Sequence, residues 1–202
     1  CLVLFTATDA LACLILKLVA GIPFRKAFLW GCISLLIPPV AIAYGALIER
    51  NLFKVKKVEI AYETLPESFD GYRIVHISDL HLGKQLGDLS LLEDQEAILD
   101  QIISLAEAEK VDAVLIAGDV YDRPQPSVDA MQLFDRFLTG LCEANVPSYI
   151  ISGNHDAAGR ISYFSGLLEK SGVHMPAEFS GRLQSIPVPD SRIVIHLLPF
   201  IR

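Results

Sequence analysis

Two long apolar blocks open the chain, and an alternation of short apolar runs with amphipathic stretches follows them. Residues 1–22 carry only Asp9 and Lys17 as charges, and residues 27–48 carry none. Each block has the roughly 20 residues needed to cross the hydrocarbon core of a bilayer. The pattern predicts two transmembrane helices joined by a tight turn, with Pro38-Pro39 kinking the second. Trp30 and Tyr44 fall near its ends, where aromatic side chains anchor at a membrane interface. Arg25 and Lys26 lie in the turn, whereas Arg50, Lys54, Lys56 and Lys57 follow the hairpin. That balance favours an inner-membrane anchor with the remainder on the cytoplasmic side.

Beyond the hairpin the period changes. Residues 58–62 alternate and predict an entry strand; residues 66–71 read as a turn and residues 73–77 as a second strand. Ile98, Leu99, Ile102, Ile103 and Ala106 have the spacing of an amphipathic helix over residues 91–109. Residues 113–117 are a continuous apolar run, the mark of a strand covered on both faces. Ser127 is placed to cap a helix reaching about residue 144, with Val128, Met131, Phe134, Phe137, Leu138 and Leu141 along one side. Strands at 147–151 and 192–197 and a helix at 161–171 complete the series. Strand–helix alternation of this kind predicts an α/β sandwich around a largely buried sheet. The expected organisation is two membrane helices in 1–50, a basic linker and entry strand in 51–72, and the α/β domain in 73–202.

Composition sharpens this division. Of the 202 residues 52% are hydrophobic, and the mean hydropathy is +0.43, which argues against disorder. Residues 1–57 have a net charge of +5 and residues 58–202 one of −12, so the two parts suit different surroundings. The four cysteines form no CxxC pair, and buried free thiols are the expectation. There is no initiator Met, and the chain reads as a fragment.

Polar clusters interrupt the pattern where three strands end: Ser78-Asp79-Leu80-His81, Gly118-Asp119, and Gly153-Asn154-His155-Asp156. Ligand sites in α/β sheets gather beyond the carboxyl ends of strands. Asp79 and His81 alternate on an extended segment and so face one point, and Gly118 lets the chain turn tightly before Asp119. Taken singly, these are ordinary caps, turns and loop residues. Three in succession point to a site. Carboxylate, imidazole and amide oxygen form a mixed ligand set suited to Mn²⁺, Fe or Zn²⁺ rather than to an all-oxygen Ca²⁺ cage.

These clusters resemble the first three motifs of the calcineurin-like metallophosphoesterases. The resemblance implies two divalent metal ions, with Asp79 and His81 on the first, Asp119 bridging both and Asn154 on the second. It places His155 at the scissile phosphate as a catalytic residue, with Asp156 orienting it. Paired ions activate water and offset charge on the phosphoryl oxygens, which is the chemistry a phosphodiester demands.

Residues 78–202 are similar to the D component of the bacterial SbcCD exonuclease, in phrases such as SDLHLGKQL, LEDQEAILDQI, VDAVLIAGDVYDRPQPS and ISGNHD. That similarity implies an Mn²⁺-dependent nuclease of SbcD type acting on double-stranded DNA as a homodimer with an SbcC-type ATPase partner. Residues 1–84 resemble instead the membrane-anchored metallophosphoesterases of the YkuE/YaeI type, which implies a lipid-linked or nucleotide phosphodiester as the alternative substrate. The two resemblances meet at residues 78–84. The overlap reads either as a natural membrane-tethered enzyme or as a junction formed at the shared motif, and the second reading is favoured. Further histidines of the family fall beyond Arg202, so the domain is expected to be C-terminally truncated, with about half of a dinuclear site, and an inactive truncated product is a third reading. Of the remaining histidines, His76 is expected packed within its strand, His174 in a loop and His196 on the last strand.

Overall fold

The computed structural model describes residues 37–47 and 54–201, apart from positions 177, 180 and 190. The chain divides into two compact units, Cys1–Val55 and Lys56–Arg202. In the first, helix α1 (Ile37–Leu47) is uncharged and leaves Ile37, Val40, Ile42 and Tyr44 exposed. Among the described residues no helix is long and apolar enough to cross a membrane. The first predicted span lies outside the described residues, and α1 is the described part of the second.

The second unit is built on a parallel sheet with the strand order β1-β4-β5-β6. These strands are β1 (Ile74–Ile77), β4 (Ala113–Ala117), β5 (Ser148–Ile151) and β6 (Val173–His174). Between β1 and β4 lie a small hairpin, β2 (Gln85–Leu86) with β3 (Leu89–Ser90), and helix α2 (Leu92–Glu109). Helix α3 (Val128–Glu143) connects β4 to β5. The apolar run of β4 is covered on both sides, as its composition requires. Val114 and Ile116 enter the main core with Leu99, Ile102 and Ala106 of α2 and Leu133, Phe134, Phe137 and Leu141 of α3. Ala113, one position out of phase, joins Tyr149, Ile186 and Leu197 in a smaller cluster on the other side. That cluster is completed by the antiparallel pair β7 (Gln184–Pro187) and β8 (Val194–Leu197). Each large apolar side chain buried in this way contributes about 1.5–3 kcal/mol.

Several expectations need correction. Residues 58–62 form no strand. Val58, Ile60 and Tyr62 are exposed, and alternation without a pairing partner does not make a ladder. Ser127 does cap α3, its hydroxyl accepting from the Ala130 N–H. Val128 and Met131, however, are exposed, and Ala130 and Leu133 take the inward positions. The helix expected at 161–171 is broken into α4 (Ala158–Ile161), α5 (Ser165–Leu168) and a 3₁₀ turn at Glu169–Ser171. His174 lies on β6 rather than in a loop, and His76 is exposed on the edge strand β1. Cys142 is a free, partly buried thiol, and the other three cysteines lie outside the described residues.

Candidate metal centre

Because β1, β4 and β5 are adjacent and parallel, their carboxyl ends share one edge of the sheet. The segments leaving them carry the three polar clusters. The first two are tied backbone to backbone. The His81 N–H donates to the Asp119 carbonyl at 2.9 Å, the Leu82 N–H to Val120 at 2.8 Å, and the Asp122 N–H back to Leu82 at 3.1 Å. Leu82 is 2% exposed and anchors its loop in the core.

Asp79, His81 and Asp119 all hold positive φ, at 55°, 45° and 49°. Strain of this kind in residues with a Cβ persists only where the surroundings over-determine it, and it clusters at functional sites. It also corrects the expectation that Asp79 and His81 converge by strand alternation. The strand ends at Ile77, and left-handed turns bring the two together. Gly118, at φ 86°, approaches the third loop so closely that an added Cβ would lie 2.9 Å from the Gly153 Cα. A Cβ on Gly153 would overlap the Asp119 carboxylate. Glycine at both positions is what lets Asp119 reach across.

Ligand atoms of Asp79, His81 and Asp119 lie within 4.8 Å of one another. An imidazole nitrogen of His81 (Nε2) stands 3.8 Å from Asp79 Oδ1. Its Nδ1 is buried with no hydrogen-bond partner among the described residues. Two carboxylates and an imidazole with an unpartnered buried nitrogen are a donor set that fits a divalent cation. The His155 ring meets the His81 ring edge-on, with centroids 4.8 Å apart. Its backbone N–H donates to Asp119 Oδ1 at 2.9 Å. Asn154, one residue earlier, is exposed.

Asp156 is 3% exposed. Its carboxylate accepts from the backbone N–H groups of Val120, Tyr121 and Gly153 at 3.1, 3.0 and 2.9 Å. It therefore latches the second loop to the third. The His155 ring is held elsewhere than expected, with Nδ1 3.1 Å from the Asp122 carbonyl. A carbonyl only accepts, so this bond places a proton on Nδ1 and leaves Nε2 free of it. Burial, reinforced by the carboxylates of Asp156 and Asp135, pushes the Tyr121 phenol up to about 12, so it stays neutral beside the site.

The profile of the calcineurin-like phosphoesterase family matches residues 72–197. The chain belongs to that family. It carries a metallophosphoesterase domain, and the main core, the smaller cluster and all three loops fall inside the matched span. Among curated proteins it is similar to SbcD, the D component of the SbcCD nuclease, of Staphylococcus saprophyticus subsp. saprophyticus, 37% identical over 129 residues. That similarity covers 63% of this chain and 34% of the relative, so the chain spans about a third of the length of the curated relative it matches.

Two residues with a place in this architecture were not singled out as site residues from the sequence. One is Asp122, whose contribution is a backbone carbonyl and so leaves no trace in residue type. The other is Gln95, in the first turns of α2. Its amide reaches three backbone groups of the first loop: it accepts from the Gly83 N–H at 3.0 Å and donates to the carbonyls of Leu80 and His81 at 3.2 and 2.9 Å. In sequence it stands beside Glu93 and Asp94, where polar residues are ordinary helix-start composition.

Proposed function

We propose that this chain is the metallophosphoesterase portion of a metal-dependent phosphodiesterase, a DNA nuclease of the SbcD type. The observation that carries the reading is the gathering of Asp79, His81 and Asp119 within 4.8 Å at the carboxyl edge of the sheet, with the His155 ring against it. Asp79 and His81 would hold one divalent cation, Asn154 a second, and Asp119 both, with Mn²⁺ the preferred ion and Fe or Zn²⁺ as alternatives. Bound ions of this kind supply a water activated at neutral pH and compensation for charge on the phosphoryl oxygens. His155, fixed through Nδ1 by the Asp122 carbonyl, presents Nε2 to the phosphate and delivers a proton to the leaving oxygen. Asp156 is a positioning residue, keeping the loops of Asp119 and His155 in register.

Double-stranded DNA as substrate, a homodimer and an SbcC-type ATPase partner are proposed from the resemblance of residues 78–202 to nucleases of the SbcD type. The net charge of −12 on residues 58–202 is adverse to phosphate-backbone contacts, and the partner supplies the compensating basic surface. A second reading, a membrane-bound enzyme on a lipid-linked or nucleotide phosphodiester, is favoured by the two uncharged or nearly uncharged blocks in residues 1–48. In that reading residues 1–50 anchor the chain in the inner membrane with the phosphoesterase domain cytoplasmic.

The test is hydrolysis of bis-p-nitrophenyl phosphate and of linear double-stranded DNA in Mn²⁺. It is run on the chain and on a fusion that adds the remaining C-terminal part of the staphylococcal relative. Chelator-sensitive cleavage of both substrates supports the nuclease. Cleavage of the small diester alone favours the second reading. A folded, metal-binding fusion that cleaves neither contradicts both.

A further inference from the structure

The three loops of the site are tied down by different means. The second and third are latched by the Asp156 carboxylate, and the first leans on the second through three backbone bonds. The first loop, however, carries two of the three gathered ligands, and both are in the left-handed region. Something on its other side must hold it there, because residues with a Cβ leave such φ values when nothing fixes them. The only side chain among the described residues whose hydrogen bonds span that loop is Gln95. Its single amide group engages Leu80, His81 and Gly83 at once. The bonds bracket His81 on both sides, and one of them is to the His81 carbonyl itself.

Gln95 is in turn rigidly mounted. Its own N–H donates to the Leu91 carbonyl at 2.9 Å, and the Leu91 N–H donates to Lys84 at 3.1 Å. The end of the first loop is thereby strapped to the start of α2. From the same helix Glu96 pairs with Arg136 of α3 at 2.7 Å, and Leu99 is buried one turn further on. A neutral amide suits the task. It offers an acceptor and two donors to groups of both kinds, which neither a carboxylate nor a lysine does, and it adds no charge beside the ligands.

We infer that Gln95 is a positioning residue of the metal centre, fixing the Asp79–His81 ligand pair through the backbone of their loop. The inference rests on the metal-centre reading above. Gln95→Met keeps the length of the side chain and removes all three hydrogen bonds; Gln95→Asn keeps the amide and shortens its reach.

The experiment titrates the full chain with Co²⁺ and follows the visible absorption, which reports affinity and coordination geometry together, well below the unfolding temperature. Both variants should bind Co²⁺ roughly 10–100-fold more weakly, as is typical when a group supporting a ligand is lost, with altered band shape. Hydrogen exchange at the Gly83 amide should accelerate in Gln95→Met even without metal. A residue with a merely structural role would lower the unfolding temperature and leave the affinity and spectrum of the folded chain unchanged. That result, or unchanged exchange at Gly83, overturns the inference. Asp119→Asn separates the two layers. If it also leaves Co²⁺ binding intact, the metal-centre reading fails; if it abolishes binding while both Gln95 variants bind as the parent does, only the role of Gln95 fails. Should Gln95→Met not fold, Gln95→Asn carries the same readouts.

Discussion

The two edges of the parallel sheet use the same unusual backbone conformation for opposite ends. Among the described residues five other than glycine hold positive φ. Lys110 and Asn145 lie at the amino edge, where they end α2 and α3. There the left-handed turn closes a helix: the Lys110 N–H donates to the Ala106 and Glu107 carbonyls, and the Asn145 N–H to Cys142 at 3.0 Å. Orphan carbonyls are satisfied, and glycine would serve as well. Asp79, His81 and Asp119 lie at the carboxyl edge and close no helix. Their turns aim donor atoms at one point, and glycine there would remove the donor. Strain alone does not mark a site; strain at residues whose side chains then converge does.

The comparison is tested most severely at the carboxyl edge. In the active fusion His155→Ala should lower kcat by roughly 10²–10⁴-fold, the range for one positioned acid–base group. Metal content of the same samples should change little. Loss of metal would move His155 from the phosphate to the coordination shell and redraw the site. Next in size is Asp156→Asn. Its carboxylate is the shared acceptor for three backbone N–H groups, two of them buried, and leaving a buried one unpaired costs about 1–3 kcal/mol. Urea unfolding should register that loss, and metal affinity should fall with it, because the latch holds Asp119 against the third loop. Destabilisation without weaker metal binding would reduce Asp156 to a purely structural brace.

At the amino edge the expected effects are smaller and one has the opposite sign. Lys110→Gly should raise stability by about 0.5–1 kcal/mol, the relief of a left-handed residue less the added freedom of glycine in the unfolded chain. A loss of stability in denaturant titration would show that Lys110 does more than end a helix. His174, on the short strand β6, stacks on Tyr149 with centroids 4.9 Å apart. Burial lowers its pKa below the usual 6.5, opposed in part by Glu169. A depressed histidine favours the neutral form in the folded state, so its contribution is present above pH 6.5 and is lost as pH falls through the folded value. Melting temperature should decline below that pH, and His174→Gln should flatten the decline; an unchanged slope would assign the acid sensitivity elsewhere.

Most of the scaffold was legible because it rests on local chemistry. The apolar run of β4, the spacing of α2 and the hydroxyl of Ser127 each predict what they form. The three clusters were legible as chemistry because each holds donor residues at a strand end. What stayed hidden depends on partners distant in sequence. The alternation of residues 58–62 has no strand to pair with, and Val128 and Met131 face outward because α3 turns Ala130 and Leu133 to the core. The left-handed turns of Asp79 and His81, the carbonyl of Asp122 and the reach of Gln95 are set by how loops meet, and residue type does not record that.

In the proposed metal centre the three loops are organised on Asp119. Titration calorimetry with Mn²⁺ on the parent chain and on Asp119→Asn, both shown to be folded by circular dichroism, tests it most directly. The parent should bind Mn²⁺ and the variant should lose most of that affinity, since one substitution withdraws charge from the residue that joins the loops. Equal binding by the two chains would contradict it.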